Sequence, residues 1–104
     1  MTQESGYRLI MHPNIEKQLT GIPKVYARRL ADLMRSLKDD PRPVQSKHLV
    51  GELYRIREGD YRVVYAVFDA ERVIFVEKIG RRSEKTYRDL ASLLAAARKA
   101  AGGE

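Results

Sequence analysis

The chain has 104 residues, 43% of them hydrophobic and 33% charged, with 20 Lys and Arg against 14 Asp and Glu and a net charge of +6. That length makes one domain, residues 1–104, able to bury roughly two-thirds of its unfolded surface, and the charge excess favours an acidic or polyanionic partner. The absence of cysteine excludes disulfides, thiolate metal sites and thiol nucleophiles; His12 and His48 lie in no ligand spacing, so neither a metal nor another cofactor is expected.

The N-terminal stretch MTQESGYRLI has no basic segment followed by an apolar one. The longest apolar run, Val63 to Phe68, is far short of a membrane span. A cytoplasmic protein with no membrane partner is expected. Tyr7 to Met11 predicts a first strand, ended by His12-Pro13 because proline pushes its predecessor toward extended geometry. Asn14 through Leu19 places Ile15 and Leu19 one turn apart and stops at Gly21, the pattern of a short helix. Pro23 sits where a first helical proline would. After it Val25, Tyr26, Leu30, Leu33, Met34 and Leu37 recur at three- and four-residue intervals, which predicts a second, amphipathic helix. Two prolines in DDPRP, Asp39 to Pro43, terminate it.

From Leu53 the period changes to two: Tyr54 and Ile56, then Tyr61, Val63, Tyr65 and Val67, then Val73, Phe75 and Ile79, separated by EGD and DAE. This spacing predicts an antiparallel meander. Tyr87, Leu90, Leu94 and Ala97 return to helical spacing, and Gly102-Gly103 ends the last helix. The expected fold is α+β, an N-terminal strand and a helical hairpin packed on a small antiparallel sheet in the order β-α-α-β-β-β-α.

The meander's first hairpin, LYRIREGDYRVVY, carries Arg55, Arg57 and Arg62. With Gly59-Asp60 as a two-residue loop, Arg57 faces Arg62 and Arg55 faces Val64; with Glu58-Gly59, Arg55 faces Arg62. Either register gathers the three arginines on one face, with Tyr54, Ile56, Tyr61 and Val63 on the other, whereas a three-residue loop sends Arg62 across. Like charges opposed in a sheet cost a fraction of a kcal/mol or so, so three together call for a multiply negative ligand. The plainer alternative is a solvated face paired with Glu52, Glu58, Asp60 or Glu77. Guanidinium groups stay charged and bind phosphate through paired hydrogen bonds. Tyr87, near this charge, offers a phenol able to exchange a proton, although on spacing alone it equally suits the apolar stripe of the last helix. On helix 2, Arg28, Arg29 and Arg35 are either a solvated face or a contact for RNA.

The order of elements, the LYRIREGDYRVVY hairpin, the acidic turn after AVFD and the segment EKIGRRSEKTY together resemble the RelE/ParE superfamily of toxins from toxin-antitoxin pairs, over Tyr7 to about Leu90. The basic and tyrosine residues resemble the RelE branch, whose members are ribosome-dependent, metal-independent messenger-RNA endonucleases. The resemblance places Arg55 and Arg57 at two basic site positions, Arg62 at the arginine of GDYR, Arg82 at the arginine after the glycine turn and Tyr87 at the site tyrosine, with Arg81 as an alternative to Arg82. Lys78, Arg81 and Lys85 are the further RNA contacts it implies. A well-known member has lysines at the positions of Arg55 and Arg57, so a lysine base is unavailable there. The partners implied are a cognate antitoxin, the ribosome and messenger RNA. The alternatives are a ParE-like inhibitor of DNA gyrase and a non-catalytic basic module that binds RNA or protein.

Overall fold

The computed structural model describes residues 6–81 and 90–102. In chain order the elements are β1 (Arg8–Met11), α1 (Asn14–Thr20), α2 (Lys24–Ser36), β2 (Lys47–Val50), β3 (Leu53–Glu58), β4 (Tyr61–Phe68), β5 (Val73–Arg81) and α3 (Leu90–Gly102). The α+β class and the expected order hold, with one added strand, β2. The five strands form one sheet in the order β1-β5-β4-β3-β2. All neighbours are antiparallel except β1 and β5, which run parallel from Arg8 opposite Val73 to Met11 opposite Val76.

Both faces of the sheet are packed. On one side Ile15 of α1 and Leu30, Met34 and Leu37 from α2 and its C-terminal end join Ile56, Val63, Tyr65, Ile74 and Val76 in a cluster with almost no solvent exposure. Each such aliphatic side chain contributes about 1.5–3 kcal/mol by leaving water. On the other side Ala97, with half-buried Leu90, Leu93 and Leu94 of α3, covers Leu53, Val64, Ala66, Phe68, Val73 and Phe75. All eight residues of β4 are therefore buried, as a central strand covered on both faces must be.

Two expectations of side-chain direction are corrected. Val25 is 58% exposed rather than part of the apolar stripe of α2. It precedes Leu30 by five residues, and five steps of a 3.6-residue helix turn it about 140° from that stripe. In β5 the ladder runs Val76 opposite Tyr65 and then Lys78 opposite Val64, leaving Glu77 as an extra residue in a β-bulge. The bulge interrupts simple alternation: Val73 and Phe75 pack beneath α3, whereas Ile79 joins the α1-α2 side.

The connection between α2 and β2 is tied to the sheet by a polar clamp. Arg42 donates from Nη2 to Asp69 Oδ2 at 2.8 Å and from Nε to the Tyr54 hydroxyl at 2.9 Å. Tyr7 donates its hydroxyl to Asp69 Oδ1 at 2.7 Å. Arg42, then Tyr7, holds the Asp69 carboxyl below its ordinary range, while the same bond to Asp69 raises the Tyr7 phenol. Tyr65 donates to the Pro41 carbonyl at 2.7 Å, and burial pushes its phenol up to about 12.

Candidate active site

The hairpin between β3 and β4 closes on Gly59-Asp60, with Glu58 opposite Tyr61 and Gly59 at φ 61°. Glycine takes that positive φ without the clash a Cβ would bring. Arg57 consequently stands opposite Arg62 and Arg55 opposite Val64, the first of the two registers considered from sequence. Residues opposed across strands share a face, so the three arginines lie together.

The neighbouring strands extend the cluster into two rows. One runs Lys47 in β2, Arg55 in β3, Val64 in β4 and Lys78 in β5; the next runs Arg57, Arg62 and Gly80. Toward the other end the same face continues with Leu53, Ala66, Phe75 and Ile10, where α3 packs. One side of the sheet is thus divided into an apolar half that completes the core and a basic half carrying five cations.

These cations differ in environment. Arg62 is only 5% exposed, and its Nη2 donates to the Arg81 carbonyl at 2.8 Å, which fixes the guanidinium at the end of β5. Arg55 and Lys78 are half-buried, and Arg57 is exposed. Beside Lys78 stands Glu77, 4% exposed, whose Oε2 has no hydrogen-bond partner among the described residues. Burial pushes its carboxyl up to about 7, with Lys78 pulling weakly the other way.

Arg81 pairs with Tyr61 and packs its guanidinium 5.8 Å from the Tyr61 ring centre, on the opposite side of the sheet from Arg57 and Arg62. Arg82, Lys85 and Tyr87 lie outside the described residues. The sequence reading did not single out Lys47, and it named Glu77 only as a carboxylate that could pair with the arginines. Lys47 sits in a four-residue strand too short to show a period, but Glu77 was visible as a carboxylate inside the apolar run VIFVEKIG. His12 accepts the Asn14 N–H on Nδ1 at 3.1 Å, and His48 donates from Nε2 to the Gly51 carbonyl at 2.8 Å, so both serve local turns. Among the described residues no group of three His, Asp or Glu side chains is placed to hold a metal ion, and no helix is long and apolar enough to cross a membrane.

The second face of the sheet is thus covered by α3 over one half and presents opposed arginines over the other. Residues 9–86 match the family profile described as the ParE toxin of type II toxin-antitoxin systems, parDE. The chain is 33% identical over 81 residues to a protein named as putative toxin RelE1 from Methanocaldococcus jannaschii, an alignment covering 73% of this chain and 90% of that one. The structure is similar to archaeal RelE in the RelE-RelB complex from Pyrococcus horikoshii OT3, with a TM-score of 0.67, 32% identity and coverage of 76% of this chain and 98% of the other. The isolated Escherichia coli RelE toxin shares the fold at a TM-score of 0.64 and 22% identity, over 86% of this chain and 98% of that one. The chain belongs to the RelE/ParE superfamily of toxins from toxin-antitoxin systems.

Proposed function

We propose that the protein is a RelE-type toxin that cleaves messenger RNA on the ribosome without a metal. The observation that supports this most is the pairing of Arg57 with Arg62 across adjacent strands, with Lys47, Arg55 and Lys78 in the next row. Opposed cations raise the energy of a sheet, and a phosphodiester passing to a dianionic phosphorane is the ligand that offsets this most in the transition state.

In the proposed reaction the RNA 2′-oxygen attacks the adjacent phosphorus and the bond to the 5′-oxygen breaks. The products are a 2′,3′-cyclic phosphate and a 5′-hydroxyl. Arg57 and Arg62 hold the non-bridging oxygens, and Arg55 positions the scissile phosphate. The anchoring of Arg62 on the Arg81 carbonyl means little reorganisation when charge develops. Tyr87, as proton acceptor for the 2′-hydroxyl, and Arg82, at the leaving oxygen, complete the proposal by resemblance to the family. The cognate antitoxin is proposed as an acidic segment that folds on the basic face.

The test is to map the 5′ ends of messenger RNA after incubation with programmed ribosomes. Wild type is expected to leave discrete new ends, and Arg62→Ala and exposed Arg57→Ala to slow their formation by about 10²–10³ each with unchanged circular dichroism. Undiminished cleavage in both variants would refute the assignment. The match to the ParE profile supports a second reading, inhibition of DNA gyrase. Blocked supercoiling by purified gyrase, with no cleaved message, would establish that reading instead.

A further inference from the structure

A cavity of about 180 Å³ opens between the α1-α2 turn and the adjoining ends of β4 and β5, lined by Gln18, Ile22, Tyr61, Ile79, Gly80 and Arg81 among others. It lies on the α1-α2 side of the sheet, where Tyr61 and Ile79 pack, and so is separate from the arginine rows. The Gly80-Arg81 backbone links the two: the Arg81 carbonyl accepts from Arg62, and the same two residues line the cavity.

Its walls have the chemistry of a base site. Tyr61 and Ile79 give apolar surface, and Arg81 lies over the Tyr61 ring. From Tyr61 the aromatic surface continues to Tyr26, with ring centres 6.0 Å apart, and Arg29 sits 5.7 Å from the Tyr26 ring centre. Cations alternating with aromatic faces suit single-stranded RNA, whose bases stack while its phosphates need counter-charge. Gln18 adds a directional element. Its Oε1 accepts the Ile79 N–H at 2.8 Å, and because a backbone N–H can only donate, the amide is fixed with Nε2 left to offer two hydrogens.

We propose that this cavity is a nucleobase subsite, taking the base of a nucleotide adjacent to the phosphate held by Arg57 and Arg62, with an acceptor-bearing base edge turned to Gln18. The RNA would cross the end of the sheet at Gly80, which carries no side chain of its own, placing phosphate on one side and base on the other. This rests on the RNA-cleaving reading above and adds a determinant of which sequence is cut.

The test titrates the isolated protein with a trinucleotide made non-cleavable by 2′-O-methyl groups, and with three counterparts that each lack one base, followed by amide chemical shifts. Removing one particular base is expected to weaken binding about tenfold, and only probes carrying that base should shift the amides of Ile22, Ile79 and Gly80. Ile22→Trp, which fills the cavity, should erase the difference between intact and abasic probes. Equal binding of all four probes, or shifts confined to β3 and β4, would overturn the subsite while leaving cleavage on ribosomes as an independent result. If wild type neither binds these probes nor cuts ribosome-bound message, both the subsite and the nuclease reading fall.

Discussion

Replacing Glu77 by glutamine separates burial from charge at one atom. In the folded chain the carboxyl is 4% exposed and its pKa is pushed up to about 7 from an ordinary 4.5. A carboxyl with a raised folded pKa binds its proton more tightly folded than unfolded. Its favourable contribution is therefore complete below pH 4.5, declines as pH rises, and is gone above about 7. Each pH unit across that window is worth about 1.4 kcal/mol, so the change from pH 4.5 to 8 approaches roughly 3 kcal/mol. Glutamine keeps the shape and cannot ionise. Urea unfolding of both proteins at pH 5, 6, 7 and 8 should show Glu77→Gln gaining on wild type by roughly that amount across the range, and Asp69 and other titrating groups cancel in the difference. A difference identical at pH 5 and pH 8 would refute the reasoning, since it would mean that the carboxylate is as well solvated folded as unfolded.

Gly51 turns from β2 into β3 at φ 55°, and a Cβ there would lie 2.8 Å from Leu94 Cδ2 of α3. Gly51→Ala should cost about 1–2 kcal/mol and speed hydrogen exchange in α3 more than in α2. Asp69→Asn breaks the clamp to Arg42 and Tyr7, and because the pair is exposed the expected loss at pH 7 is about 1 kcal/mol or less. The Asp69 pKa is lowered by folding, so its stabilisation is present above the unfolded carboxylate pKa and lost as pH falls through the folded one. Thermal melts of wild type and Asp69→Asn should converge in acid. Tyr65→Phe removes the hydroxyl bonded to the Pro41 carbonyl and should cost about 1 kcal/mol in urea unfolding, with no change in RNA cleavage.

The parts of this architecture readable from sequence are those set by local rules. The hairpin sequence narrowed the pairing to two registers that both gather the arginines on one face, and the ladder selects the one that sets Arg57 opposite Arg62. The stripe of Leu30, Met34 and Leu37 follows from helical period alone. What was not readable depends on partners distant in the chain. The parallel pairing of β1 with β5 joins residues 65 positions apart (Arg8 with Val73) and leaves no trace in either strand's own pattern. The clamp uses Arg42, which from sequence marked only the end of a helix, and Asp69, which marked only a turn. The bulge at Glu77 lies between: the sequence shows a carboxylate at the period-two position between Phe75 and Ile79, yet only the ladder to β4 shows that this residue is extra.

That bulge also decides how the end of β5 is shared between the two sides of the sheet. Counting back from Arg81, the pairings Arg81-Tyr61, Gly80-Arg62, Ile79-Val63 and Lys78-Val64 alternate strictly. The alternation before the bulge is Val76-Tyr65 and Phe75-Ala66. Were Glu77 paired in an unbroken ladder with Val64, every later residue would slip by one: Lys78 would face the core beside Val63, and Ile79 would stand beside Arg62 among the cations. Both placements are costly, one burying an ammonium in apolar packing and the other exposing a large aliphatic group. The extra residue instead sends Lys78 to the basic rows and Ile79 to the core, and leaves Arg62 and Arg81 on opposite sides of a single peptide carbonyl. The proposed phosphate and base sites would thus meet at one strand end because the bulge sets its phase, and the arginine content alone would not put them there.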